Sequence, residues 1–235
     1  MTTRDIPWAM QIALRVEKTD PPTDIEACEA AARACVGLLV QAERQRTAAQ
    51  NVDADTESYD GSGADAAAVD TSWHEAVEAW RGVAIRKIVR RTRGKRWDDA
   101  QALPGVTCTQ GRAQARAFVP APVKPLASEL AKMQVEGTEL PEGRSVTENA
   151  VVTVRISPLV EMTSGKSAAQ CAHAAQRAWE AMTPDERRSW EEDDHHLRVV
   201  RDSEESWAQQ PGRVSIIDAG FTELEGQHET TRADW

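Results

Sequence analysis

Hydrophobic positions along the chain fall into two successive series. From Met10 to Glu17, Met10, Ile12, Leu14 and Val16 alternate with Gln11, Arg15 and Glu17, a period of two that predicts a strand with one buried face. Pro21 and Pro22 end it. Asp24 stands as a cap before Ile25, Cys28, Ala31, Ala32, Cys35 and Leu39, whose spacing is helical. Residues Arg46 to Thr71, rich in Ala, Asp, Ser, Gly and Thr, read as a surface loop or linker. A short helix is expected over Trp73–Trp80, a strand over Val83–Arg91 and a helical piece over Trp97–Leu103. Past the Pro104-Gly105 turn, two short strands are expected near Val106–Thr109 and Gln114–Val119. Ser128–Lys132 reads as one helical turn and Glu136–Asn149 as a connector.

The second series restarts at Val152, Val154 and Ile156, again alternating with polar partners. Lys166–Met182 predicts a helix whose buried stripe is Cys171, Ala175, Ala178 and Met182. Thr183-Pro184-Asp185-Glu186 carries a cap, a first-position proline and a capping-box glutamate, so a further helix starts there. Leu197–Arg201 reads as a strand and Glu204–Gln209 as a short helix. Pro211-Gly212 turns the chain into the apolar strand Val214–Ile217, and His228–Trp235 reads as a last strand.

The two series share an order: strand, alanine-rich helix, strand, short helix, Pro-Gly turn, strand pair. Cys28-x-x-Ala31-Ala32 matches Cys171-x-x-Ala174-Ala175. Ile85–Arg90 matches Leu197–Arg201, and Pro104-Gly105 matches Pro211-Gly212. The expectation is an α/β protein of two related units, residues 1–135 with a flexible insertion near 46–72 and residues 150–235, packed as an internal pseudo-dimer.

Composition narrows the picture. The 235 residues carry a formal net charge of −10, which argues against a sequence-independent polyanion binder. The basic residues nevertheless concentrate in one uninterrupted stretch, Arg81, Arg86, Lys87, Arg90, Arg91, Arg93, Lys95 and Arg96. It reads either as an RNA-binding strip or as a charge-protected sheet edge. Eight Trp against one Tyr and two Phe suggest bulky anchors in alanine-rich packing. Cys28, Cys35, Cys108 and Cys171 show no metal or disulfide spacing and read as free thiols. His195-His196 beside Asp193-Asp194 reads as a surface cluster, not a metal site, since adjacent helix residues diverge by about 100°. No cofactor is expected. With no signal-type apolar run and no bilayer-length segment, no membrane association is expected, and the cytoplasm is the default.

Two segments carry chemistry. Ser164-Gly165-Lys166 runs into Ser167-Ala168-Ala169-Gln170-Cys171-Ala172-His173-Ala174, and Asp218-Ala219-Gly220-Phe221-Thr222-Glu223 follows an apolar strand. Together they resemble the signature segments of the type 2 peptidyl-tRNA hydrolases: a Gly-Lys turn opening an Ala-Ala-Gln-Cys-x-His-Ala helix, then Asp-Ala-Gly-x-Thr. The resemblance covers about a third of the second unit, and Pro120-Ala-Pro122 with the turn after it is similar to the family's closing segment.

The resemblance implies a three-layer α/β/α unit with a mixed four-stranded sheet, and cleavage of the ester joining a peptide to its tRNA. It makes Lys166, Asp218 and Thr222 catalytic, with Gly165, Gln170 and His173 in support. On the residues alone, a lysine and free N–H groups at a helix start suit an oxyanion, and a strand-end aspartate suits water activation. Arg86, Lys87, Arg90, Arg91, Arg93, Lys95 and Arg96 would meet the tRNA. Ser164 stands where the family has a second lysine, Phe221 where it has Arg, and Glu223 where it has Gln. Those changes leave a second reading open: a non-catalytic RNA- or protein-binding module on the same fold.

Overall fold

The computed structural model describes residues 6–57, 69–82, 86–218 and 225–235. It is a mixed α/β structure with two sheets. The first unit contains β1 (Trp8–Arg15), α1 (Asp24–Glu57), α2 (Ser72–Arg81), β2 (Lys87–Thr92), α3 (Lys95–Ala100), β3 (Gly105–Gln110), β4 (Ala113–Phe118), β5 (Ala121–Pro122) and α4 (Ser128–Ala131). The second contains β6 (Val152–Ile156), α5 (Ser164–Ala181), α6 (Pro184–Glu192), β7 (Leu197–Arg201), α7 (Glu204–Gln209), β8 (Val214–Asp218) and β9 (His228–Asp234). Among the described residues, no helix is long and apolar enough to cross a membrane.

The strand orders β2-β1-β4-β3 and β7-β6-β9-β8 correspond one to one. The first pair in each is parallel and the other two are antiparallel. Register extends the correspondence to residues. Ile12 pairs with Val89 and Ala117, while Val154 pairs with Val199 and Ala233, and all six are buried. That register sets Arg91, not Arg90, at the place of Arg201, and Lys87 at the place of Leu197, shifting the match expected from sequence. The first sheet also has a fifth strand, because β5 pairs with β1, where four strands were expected.

Three further expectations are corrected. β1 is buried on both faces. Ala13 packs with Trp97, Phe118, Leu130 and Met133, and the Gln11 side-chain Oε1 accepts from Arg90 Nε at 2.8 Å, because helices cover both sides of the strand. The expected loop from Arg46 begins as helix, since α1 runs on to Glu57. No Gly or Pro interrupts residues 38–60, and Arg46 donates to Gln50 one turn on at 2.9 Å. Residues 58–68 lie outside the described residues. The second strand starts at Lys87, and Val83, Ala84 and Ile85 also lie outside them.

α1 and α5 pack against each other at the centre of the core through small residues: Ala27, Ala30, Ala31 and Ala34 on one side, Ala168, Ala172, Ala175 and Ala178 on the other. Small side chains let the helix axes approach, so each helix also reaches the far unit, α1 touching β7 and α5 touching β2. The Cys28 thiol faces the Cys171 thiol where the two helices meet, and that neighbour with full burial pushes the Cys28 pKa well up. The large fully buried anchors are Trp80, packed near Lys87, and Trp190.

Candidate active site

α5 opens on a capped turn. Thr163 Oγ1 accepts from Lys166 N at 3.1 Å, and the Ser167 N–H bonds Thr163 O at 2.9 Å. Lys166 and Gln170 are one turn apart and share a face. β8 brings Asp218 to that face from 52 positions later in the chain. Lys166 Nζ donates to Asp218 Oδ2 at 2.6 Å, and Gln170 Nε2 donates to the same oxygen at 2.7 Å. The Lys166 and Asp218 side chains are only 10% and 13% exposed, so little water screens the pair.

β9 holds the amide. Thr230 Oγ1 donates to Gln170 Oε1 at 3.0 Å, which fixes the amide so that its nitrogen faces Asp218. Thr231 Oγ1 donates to the Gln170 backbone oxygen at 3.1 Å. Both threonines are completely buried. Sequence reasoning missed them. Their only signal is two adjacent hydroxyls in a strand whose inner face is otherwise apolar. Thr222 lies outside the described residues, as does all of 219–224.

One expected feature is absent. The N–H groups at the start of α5 are occupied: Gly165 N donates to Thr138 O at 3.2 Å, and Lys166 N and Ser167 N bond Thr163. The connector supplies Thr138, and Leu140 N bonds Ser164 Oγ at 3.0 Å. A Cβ on Gly165 would stand 3.3 Å from the Thr138 Cβ, so glycine is what lets the connector lie this close. Ser164, read from the resemblance as standing at a lysine position, thus anchors the connector. The ammonium of Lys166, not backbone N–H from these residues, is the cationic group of the site.

His173 lies two turns after Lys166 on α5. Its Nδ1 is 3.2 Å from Lys87 Nζ, which draws the ring toward β2. Burial, then the Lys87 and Lys166 charges, push its pKa well below the ordinary value. The imidazole is therefore neutral. Lys87 donates, so Nδ1 accepts and the ring proton sits on Nε2.

The basic strip divides between the two faces of β2. Lys87 is 8% exposed, bonds Gln176 of α5 and lies 5.0 Å from the Trp80 ring centroid; burial lowers its pKa. Arg90 is also 8% exposed and is held by Gln11 and by Leu130 O at 3.3 Å. Both were expected to meet RNA, and both are committed to packing, because successive side chains on a strand inside layered structure both meet cover. Arg91 bonds the Gln134 side chain. Arg86, Arg93, Lys95 and Arg96 are exposed, with Lys95 paired to Asp99 at 2.7 Å and Arg96 donating to Lys132 O.

His195 is likewise not at the surface. It is 8% exposed and stacks edge-on against Trp179 and Trp190, at 5.5 and 5.7 Å between ring centroids. Of that pair His196 alone reaches solvent, and only in part. A cavity of about 490 Å³ lies beside His195, lined by Arg33, Gly37, Val40, Val106 and Cys108. It is separate from Lys166 and Asp218.

Comparison of the chain with protein-family models, curated proteins and solved structures returns no match.

Proposed function

We propose that this chain hydrolyses the ester of peptidyl-tRNA in the cytoplasm, with a single site in its second unit. The observation that carries the reading is the meeting of Lys166 and Asp218, from two signature segments 52 residues apart, around one carboxylate oxygen that Gln170 also orients. In this reaction Asp218 positions a water for attack on the ester carbonyl, and Lys166 stabilises the oxyanion that forms. The new bond joins water oxygen to the carbonyl carbon, the bond to the ribose oxygen breaks, and a proton passes to that oxygen. Thr222 belongs to the reading through the resemblance alone. Exposed Arg86, Arg93 and Arg96 are the remaining basic residues for the tRNA.

The two units are read as a duplication packed as an internal pseudo-dimer. Support comes from the matched strand orders and from Cys28 meeting Cys171, equivalent residues touching as they do across a two-fold axis.

The test is release of peptide from peptidyl-tRNA by the full chain, with Asp218→Ala beside it. Loss of turnover of about a hundredfold or more is expected; turnover unchanged in that variant would refute the mechanism. One set of contacts favours the second reading, a non-catalytic module: Thr138 occupies the Gly165 N–H, and Lys87 and Arg90 are withdrawn into packing. A salt-sensitive tRNA gel shift without hydrolysis is the outcome that reading expects.

A further inference from the structure

The four outer strand edges of the two sheets are not equivalent. β2 is covered where Arg91 and Gln134 exchange backbone hydrogen bonds at 2.7 and 3.2 Å. β7 is covered by buried Glu29, which accepts from Val199 N at 3.0 Å. On β3, Arg33 donates to Thr109 O at 2.8 Å. β8 pairs with β9 on one side, and among the described residues no strand pairs with Val214–Ile217 on the other. Its pairing with β9 shifts register between Ile216 and Ile217, but Val214–Ile217 contains no lysine and no proline, and Ile217 is 63% exposed, one of four large hydrophobic side chains left in solvent among the described residues. This edge ends on Asp218, the carboxylate of the candidate site.

We infer that the outer edge of β8 receives the peptide part of the substrate as an added strand, which leads the ester to Asp218. The inference rests on the hydrolase reading above. An enzyme of that class meets peptides of any sequence, and main-chain pairing along a strand is a recognition mode that does not depend on side chains. Exposed Ile217 gives one apolar contact beside the last pairing position. Ser215, two residues earlier on the same face, is exposed and small enough for varied neighbours. Continuity is the deciding point: an extended chain lying along Val214–Ile217 has its end beside the Lys166–Asp218 pair without a turn.

The experiment compares three substrates on the full chain: tRNA carrying one N-acetylated amino acid, tRNA carrying a pentapeptide, and the same pentapeptidyl-tRNA with alternate peptide nitrogens methylated. Two or three main-chain hydrogen bonds predict a KM for the pentapeptide roughly tenfold below that of the single residue, at similar kcat. Methylation should return KM to the single-residue value, and Ile217→Lys should raise KM for the pentapeptide. Equal KM for the three substrates would overturn the edge pairing and leave hydrolysis standing. If the chain cleaves none of them and matches Asp218→Ala, the hydrolase reading falls, and the strand addition falls with it.

Discussion

The Lys166–Asp218 contact can be tested as geometry, apart from any activity. At 2.6 Å and an effective dielectric near 20, the attraction is about 6 kcal/mol before desolvation is counted. Desolvation removes much of it, yet deleting one partner of a buried pair typically costs ~3–5 kcal/mol, because the other charge is stranded. Here Gln170 still donates to Asp218 when the lysine is gone, so Lys166→Met is expected to cost about 2–3 kcal/mol. Asp218→Asn removes the opposite charge that Lys166 faces and should cost about 2 kcal/mol. The double variant leaves neither charge facing a neutral partner, and should lose about 2 kcal/mol less than the sum of the singles. Urea unfolding of the four proteins reads this directly, with the midpoint shifting and the slope constant. Additivity within about 0.5 kcal/mol would refute the pairing, and the site assembled on it would have no physical basis.

Thr230→Val leaves the Gln170 amide without its orienting donor; expect about 1 kcal/mol lost in urea unfolding and a fall in peptide release with little change in KM. His173 has a depressed pKa in the fold, so the unfolded chain binds more protons below the ordinary histidine value. Stability should fall as pH drops through and below about 6.5, and His173→Gln should flatten that decline in Tm measured from pH 7.5 to 5. Glu29 has the opposite sign. Burial raises its pKa, so the fold holds its proton longer, and stability falls as pH rises above about 4.5 through the raised value. Glu29→Gln, which still presents an oxygen to Val199 N, should remove that loss and unfold at higher urea than the parent at pH 8.

Much of this was legible in the residues, and the failures share a cause. Period two marked β1 and β6, and period 3.6 marked α1 and α5, because each pattern reflects which face meets the core. The pattern could not tell whether the opposite face of β1 was wet or covered. Gln11 is polar yet buried, satisfied by Arg90 from the next strand, and no local rule foresees a partner 79 residues away. Lys87 misled for the same reason: a charge run suggests solvent, but cover arrives from α5, distant in sequence. Lys166, Gln170 and Asp218 were legible as motif residues. Thr138, which occupies the Gly165 N–H, was not, because it acts through a backbone oxygen that carries no sequence signal.

The corresponding helix start in the first unit, at the head of α1, is built from different contacts. Thr23 and Glu26 form a reciprocal cap at the head of α1, with Thr23 N donating to Glu26 Oε2 at 2.7 Å and Glu26 N to Thr23 Oγ1 at 3.2 Å. Next to them Asp24, 2% exposed, accepts from Ile25 N, from Gly143 N of the connector, and from Arg201 of the second unit at 2.5 Å. The helix start that faces a carboxylate across the site in one unit thus supplies a carboxylate for joining the units in the other. Asp24→Leu removes two charge-assisted bonds from Arg201 and two backbone bonds together. Arg201 is 42% exposed and regains water, which limits the loss to about 2–3 kcal/mol. Urea unfolding should show that loss, and combined with Lys166→Met the two losses should add, because Asp24 is held by Ile25, Gly143 and Arg201 while Lys166 is held by Asp218. A loss below about 0.5 kcal/mol would mean the Asp24 contacts do not join the two units.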